Sequence, residues 1–136
     1  MHPEYLALIE HSLKARKRSY SPYSRFKVGA SLLAGSGKIY TGANIESASY
    51  SLTLCAERVA FAKAISDGEK LFKAIAVSVS TKELVYPCGA CRQFMFEFAK
   101  DLDIIVVKSS NQYVITKLRD LLPEAFERKS ITSSKK

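Results

Sequence analysis

Between residues 26 and 46 apolar side chains recur at every second position, and from about Thr53 they recur at every third or fourth. That change of period constrains the fold more than any other feature of the chain. In FKVGASLLA (26–34), Phe26, Val28, Ala30 and Leu32 fall on one face, the spacing of a strand. GSGK at 35–38 is a hairpin signal, and IYTGANIE (39–46) reads as the returning strand. LCAERVAFAKAISDG (54–68) is rich in alanine and other strong helix formers, with Gly68 placed as a stop. Apolar runs at FKAIAVSVS (72–80) and DIIVV (103–107) predict strands buried on both faces, separated by a helix over ACRQFMFEFAK (90–100). Before all of these, Pro3 opens a helix with Leu6, Ile9 and Leu13 on one face, ending near Arg18, and SYSPYS (19–24) is a loop. A short strand YVI (113–115) and a helical turn KLRDLL (117–122) precede Pro123 and a polar tail. The order α-β-β-α-β-α-β predicts an α/β protein with one mixed sheet and helices on its faces.

At 136 residues, with 47% hydrophobic and 25% charged, the chain has the composition of one soluble globular domain. No apolar run approaches the ~18–20 residues of a membrane span. MHPEYLALIEH lacks a basic region followed by an apolar one, so a cytoplasmic protein is expected. The net charge of +8 gathers in KARKR (14–18) and in ERKSITSSKK (127–136). These segments read as a solvated helix end and a basic, disordered tail rather than a nucleic-acid surface, because aromatic residues do not interleave with them.

Three cysteines are too few, and odd in number, for a disulfide scaffold. Cys88 and Cys91 in PCGACRQF (87–94) can be a redox pair, part of a metal site, or small core residues. Both histidines lie within the first eleven residues, so a metal site here would not mix cysteine and histidine. Cys55, like the other two, falls at the predicted start of a helix, where the dipole favours a thiolate. Three thiolates suit zinc, and three protein ligands leave the fourth position for water, as in a catalytic site. Taken alone, Glu57 is better explained as a first-turn acid favoured by the dipole; beside a metal-bound water it becomes a candidate proton carrier. Arg58 or Arg92 can withdraw charge from the sulfurs.

C-A-E at 55–57 with P-C-G-A-C at 87–91 matches the zinc deaminase signature. With SPYSRFKVGASL (21–32), TGANIESASYSLTLCAERVAF (41–61) and LLPEAF (121–126), the chain resembles the cytidine deaminases of the small homotetrameric type with three zinc cysteines. The resemblance spans about residues 5–126 and implies a three-layer α/β/α sandwich around a five-stranded mixed sheet. It implies one zinc per subunit on Cys55, Cys88 and Cys91, with Glu57 as general acid and base. It further implies Asn44 and Glu46 on the ribose 3′-hydroxyl, Phe26 against the pyrimidine, and the backbone of Ala56 on the base. Tyr50 would lie where subunits meet, Phe126 would reach a neighbouring subunit's site, and Arg58 would temper the thiolates. The expected reaction is attack of a zinc-activated hydroxide on C4 of cytidine or 2′-deoxycytidine, with Glu57 carrying protons and ammonia leaving.

Four alternatives compete with that expectation. A polynucleotide deaminase would draw on the positive charge, but the Asn44–Glu46 pair suits a free sugar hydroxyl. Blasticidin-S deaminase shares the cysteines but lacks that pair. A zinc-stabilised nucleic-acid-binding module should bind single-stranded nucleic acid with strong salt dependence, and a thioredoxin-like reading gives no role to Cys55 or to C-A-E.

Overall fold

The computed structural model describes residues 3–132 of the chain. Helix α1 (Pro3–Arg16) carries Glu4 in its first turn and Lys14 and Arg16 in its last, the charge order its dipole favours. The strands are β1 (Val28–Ala34), β2 (Ile39–Ala43), β3 (Phe72–Val79), β4 (Asp103–Ser109) and β5 (Gln112–Lys117). Helix α2 (Ala56–Ser66) precedes β3, α3 (Gly89–Phe98) precedes β4, and the short α4 (Leu118–Leu121) and α5 (Arg128–Thr132) follow β5.

The strands lie in the order β2-β1-β3-β4-β5, and β3 and β4 form the parallel pair. Parallel neighbours need a crossover, which α3 supplies. The β1–β2 hairpin closes at Gly37, whose φ of 95° lies in the left-handed region that glycine adopts without strain. Alternate residues of β3 and β4 then serve two cores. Ile75, Val77, Ile104 and Val106 pack against Phe61 and Met95 under α2 and α3. Ala74, Ala76, Ile105 and Val107 pack against Leu8 and Ile9 of α1. Each fully buried side chain of the larger kind contributes ~1.5–3 kcal/mol. Helices on both faces of a mixed five-stranded sheet make the expected three-layer α/β/α sandwich.

The strands around the hairpin are shorter than the alternation predicted, for a local reason. The Asn44 side chain, not a strand neighbour, accepts the Val28 N–H at 3.0 Å, so Phe26 and Lys27 remain in the loop. Beyond Ala43 the returning chain leaves β1, and Ile45 bridges Tyr20 on one side and Leu54 on the other. A single 3-10 turn at Tyr50–Leu52 has no counterpart in the periodicity. Part of the tail expected to be disordered is helical, as α5; Glu127 just before it pairs with Lys100 at 2.7 Å. Residues 133–136 lie outside the described residues. Among the described residues no helix is long and apolar enough to cross a membrane.

Candidate active site

Two helix N-termini bring the cysteines together. Cys55 is the N-cap of α2 and Cys88 the N-cap of α3, both with extended backbone, and neither side chain caps its own helix. Cys91, in the first turn of α3, is fully buried. The three sulfurs lie within 4.8 Å of one another. Helix α2 can approach because β2 offers a glycine beneath it. A Cβ on Gly42 would stand 2.4 Å from the Ala56 carbonyl oxygen and 2.7 Å from the Ala60 nitrogen.

The thiols share protons unequally. A hydrogen bond with Cys91, seconded by Arg58, pulls the Cys55 thiol down to about 5 against the opposing effect of burial. Cys91 is pushed up by the same hydrogen bond and by its own burial. Binding of a divalent cation would displace the protons that remain on the cluster. Arg58 donates from Nη2 to Cys55 Sγ at 3.2 Å, and its Nε is buried without a partner among the described residues. Arg92 is occupied elsewhere: Nε donates to the Pro87 carbonyl at 2.7 Å and Nη1 to the Leu121 carbonyl at 2.8 Å. Arg58, not Arg92, therefore faces the sulfurs. No fourth metal-binding side chain joins the group among the described residues, so soft donors with one position left open fit a catalytic zinc.

The cysteines wall a cavity of about 200 Å³ together with Phe26, Asn44, Ala56 and Glu57. Glu57 is 5% exposed. Burial, with a contribution from the charge of Cys55, pushes its carboxyl up to about 7. Thr53 belongs both to this inner compartment and to an outer one of about 360 Å³, formed with Tyr23, Ser24, Glu46 and Tyr50. There the Glu46 carboxylate accepts the Tyr23 N–H at 3.0 Å, the Ser24 N–H at 3.1 Å and the Ser24 hydroxyl. These bonds, the Ser24 hydroxyl foremost, hold its pKa below the usual carboxylate range. Asn44 is also engaged. Its Oδ1 accepts from the Ser19 hydroxyl and Val28 N, and its Nδ2 donates to the Phe26 carbonyl at 2.8 Å. A larger concavity of about 480 Å³ between α1 and α2 is lined by Lys14, Arg18 and Lys63, and no carboxylate or thiol lines it.

Of the residues expected from sequence to touch a substrate, Phe126 alone lines neither compartment. It is 60% exposed and lines a different depression, beside Phe96 and Lys100. Gln93 holds its backbone, donating from Nε2 to the Phe126 carbonyl at 2.8 Å and accepting its N–H at 3.3 Å.

Residues 3–108 match the model of the cytidine and deoxycytidylate deaminase zinc-binding region. The chain belongs to that family. It is 48% identical over 126 residues to the cytidine deaminase of Sporosarcina psychrophila, a match covering 92% of this chain and 93% of that protein. Identity is also 48% over 120 residues with the cytidine deaminase of Halalkalibacterium halodurans, covering 88% and 91%. The fold matches the crystal structure of cytidine deaminase from Burkholderia pseudomallei at a TM-score of 0.85 and 43% identity, over 93% of this chain and all of that one.

As a member of the deaminase family the protein is an enzyme whose cofactor is zinc, and the three converging cysteines can hold the ion. Sequence reading missed Ser24, the bracing by Arg92 and the clamp made by Gln93. The last two had a signal available: R-Q directly follows the cysteine motif on α3, where side chains must point at whatever packs on that helix. The partners, at Leu121 and Phe126, are about thirty residues away, and nothing in the local pattern announces them.

Proposed function

We propose that this deaminase hydrolyses cytidine and 2′-deoxycytidine to uridine and 2′-deoxyuridine with release of ammonia, as a cytoplasmic enzyme of pyrimidine salvage. The observation that carries the reading is Glu57, a buried carboxyl with its pKa pushed up to about 7, walling one cavity with three clustered thiols. A group poised near neutrality accepts and returns protons with comparable ease.

Cys55, Cys88 and Cys91 would hold the zinc, which when bound would supply an activated water as the nucleophile for C4 of the base. Glu57 takes a proton from that water and delivers it to N3, which makes C4 electrophilic. It then takes the proton of the hydroxyl added at C4 and passes it to the exocyclic nitrogen, which departs as ammonia as the C4 carbonyl forms. Phe26 packs against the pyrimidine and the Ala56 backbone contacts the base, so the ring occupies the inner compartment. The sugar lies toward the outer one, its 3′-hydroxyl between Glu46 there and Asn44 in the inner wall. Because that pair addresses the 3′ position and not the 2′, both nucleosides are substrates. Arg58 draws density from Cys55 and keeps the site from becoming too electron-rich to acidify water.

The working unit is a homotetramer in which Phe126 enters a neighbour's site and Tyr50 lies where copies meet. The exposure of Phe126 (60%), Tyr50 (76%) and Leu52 (68%) supports that assembly.

The test is ammonia release from cytidine by the purified protein, with zinc measured in the same sample. About one zinc per chain with turnover is expected, and Glu57→Gln keeps the zinc while losing at least ~10²-fold in kcat. Zinc without turnover on either nucleoside refutes the substrate assignment. Substantial activity in Glu57→Gln removes that residue from its role. A monomer by sedimentation refutes the shared site.

A further inference from the structure

The loop between α1 and β1 contains a serine that lines the outer compartment and is bonded to the backbone of Phe26 in the wall of the inner one. Ser24 donates its hydroxyl to Glu46 Oε2 and accepts the Phe26 N–H on the same oxygen at 3.0 Å. Its own N–H binds Glu46 Oε1 at 3.1 Å. One residue thus ties the side chain that anchors the sugar to the backbone of the one that packs on the base. The residue between them, Arg25, has φ 58°, in the left-handed region that non-glycine residues rarely occupy. Such a conformation persists when the surroundings over-determine it, and the bonds of Ser24 on either side help to do so here. The hydroxyl closes a short circuit from carboxylate to serine to Phe26. That circuit fixes how far the outer anchor stands from the inner wall.

We propose that Ser24 is a positioning residue that orients the Glu46 carboxylate, relative to Phe26, for the 3′-hydroxyl of the nucleoside. This rests on the reading of Glu46 and Phe26 given above. A nucleoside must satisfy both compartments at once, so a carboxylate released from Ser24 loses aim even though it remains charged and present. The backbone bonds from Tyr23 and Ser24 still hold Oε1, so removing the hydroxyl frees Oε2 without detaching the side chain. Ser24 is exposed, and its replacement leaves no buried group without a partner.

The experiment compares the zinc-loaded wild type with Ser24→Ala and Ser24→Thr on cytidine and on 3′-deoxycytidine. Ser24→Ala is expected to raise KM for cytidine about tenfold, ~1.4 kcal/mol, with kcat within about threefold. The same substitution costs at least threefold less on 3′-deoxycytidine, which has no hydroxyl to aim at. Ser24→Thr, which keeps the oxygen, restores most of the loss, and in a Glu46→Gln background Ser24→Ala adds less than about twofold. An equal penalty on both substrates reduces Ser24 to a loop staple and overturns the proposal, as does an unchanged KM on cytidine. If the wild type itself turns over 3′-deoxycytidine as well as cytidine, the sugar role of Glu46 fails first and the proposal falls with it. That result is distinct because it appears without any substitution.

Discussion

Replacing Gly42 with alanine tests whether the seating of α2 on β2 sets the metal site. The added methyl would lie 2.4 Å from the Ala56 carbonyl oxygen, and ordinary contact begins at 3.4 Å, so the first turn of α2 has to retreat by about 1 Å. Ala56 follows Cys55 directly in the chain, and the shift is passed to the sulfur. Metal–ligand distances tolerate about ±0.2 Å, several-fold less than the displacement. Overpacking of this kind costs ~1–3 kcal/mol, and a chain of this length loses roughly 3–4 °C of Tm for each kcal/mol. Gly42→Ala is therefore expected to melt about 3–12 °C below the wild type and to lose zinc to a competing chelator at ten- to hundred-fold lower concentration. Gly89→Ala is the control. It lies at the start of α3 with nothing within 4 Å of the added methyl, and it also neighbours one of the clustered cysteines, Cys88. There alanine should be neutral or stabilising by up to ~1 kcal/mol. Thermal scans and chelator titrations of both variants decide the matter. A Gly42→Ala protein matching the wild type in Tm and zinc retention would mean that α2 slides freely, and would refute the reasoning.

Chelator-treated protein isolates the cost of burying Glu57. Its folded pKa is raised above the unfolded value, so the carboxyl does no harm below about pH 4.5 and destabilises increasingly as pH rises toward its folded value of about 7. Glu57→Gln in chelator should thus gain roughly 3 kcal/mol over the wild type above pH 7 and nothing near pH 4; denaturant titrations at the two pH values that show equal gains would contradict this. Arg58→Gln should weaken zinc binding about 10–100-fold, whereas Arg92→Gln should lower Tm, because it frees the Pro87 and Leu121 carbonyls. Competition with a chromogenic chelator and a thermal scan separate the two, and a reversed pattern would exchange the arginines' roles. Gln93→Ala should loosen Phe126 and depress turnover while zinc content stays at the wild-type level. An unchanged kcat/KM would show that the clamp has no catalytic consequence.

The parts of this protein that were legible in sequence are those whose cause is local. Cys88 and Cys91 stand three apart at a helix start, and that spacing is readable without coordinates. The alternation through Val28, Ala30 and Leu32 likewise announces β1. It hides that β1 is buried on both faces, because Ser31 looks polar until its hydroxyl is seen bonded to the Leu8 carbonyl of α1. Asn44 and Glu46 were found as a resemblance to ribose-binding residues. The structure adds that Asn44 also holds Phe26 and Val28, two long-range contacts no periodicity encodes. Over Arg128–Thr132 the chain is helical, and composition shows the charge of that segment but not the Lys100–Glu127 pair ahead of it.

The cysteines that converge at the two helix starts are far apart in time as well as in sequence. During synthesis Cys55 emerges 33 residues ahead of Cys88, before any of β3 exists. A lone thiol cannot retain zinc, so the metal has no hold on the nascent chain until β3 and the start of α3 have followed. Early assembly rests on the β1–β2 hairpin and on the helices that pack against it, and all three cysteines are present once Cys91 has emerged, before β4 and β5 complete the sheet.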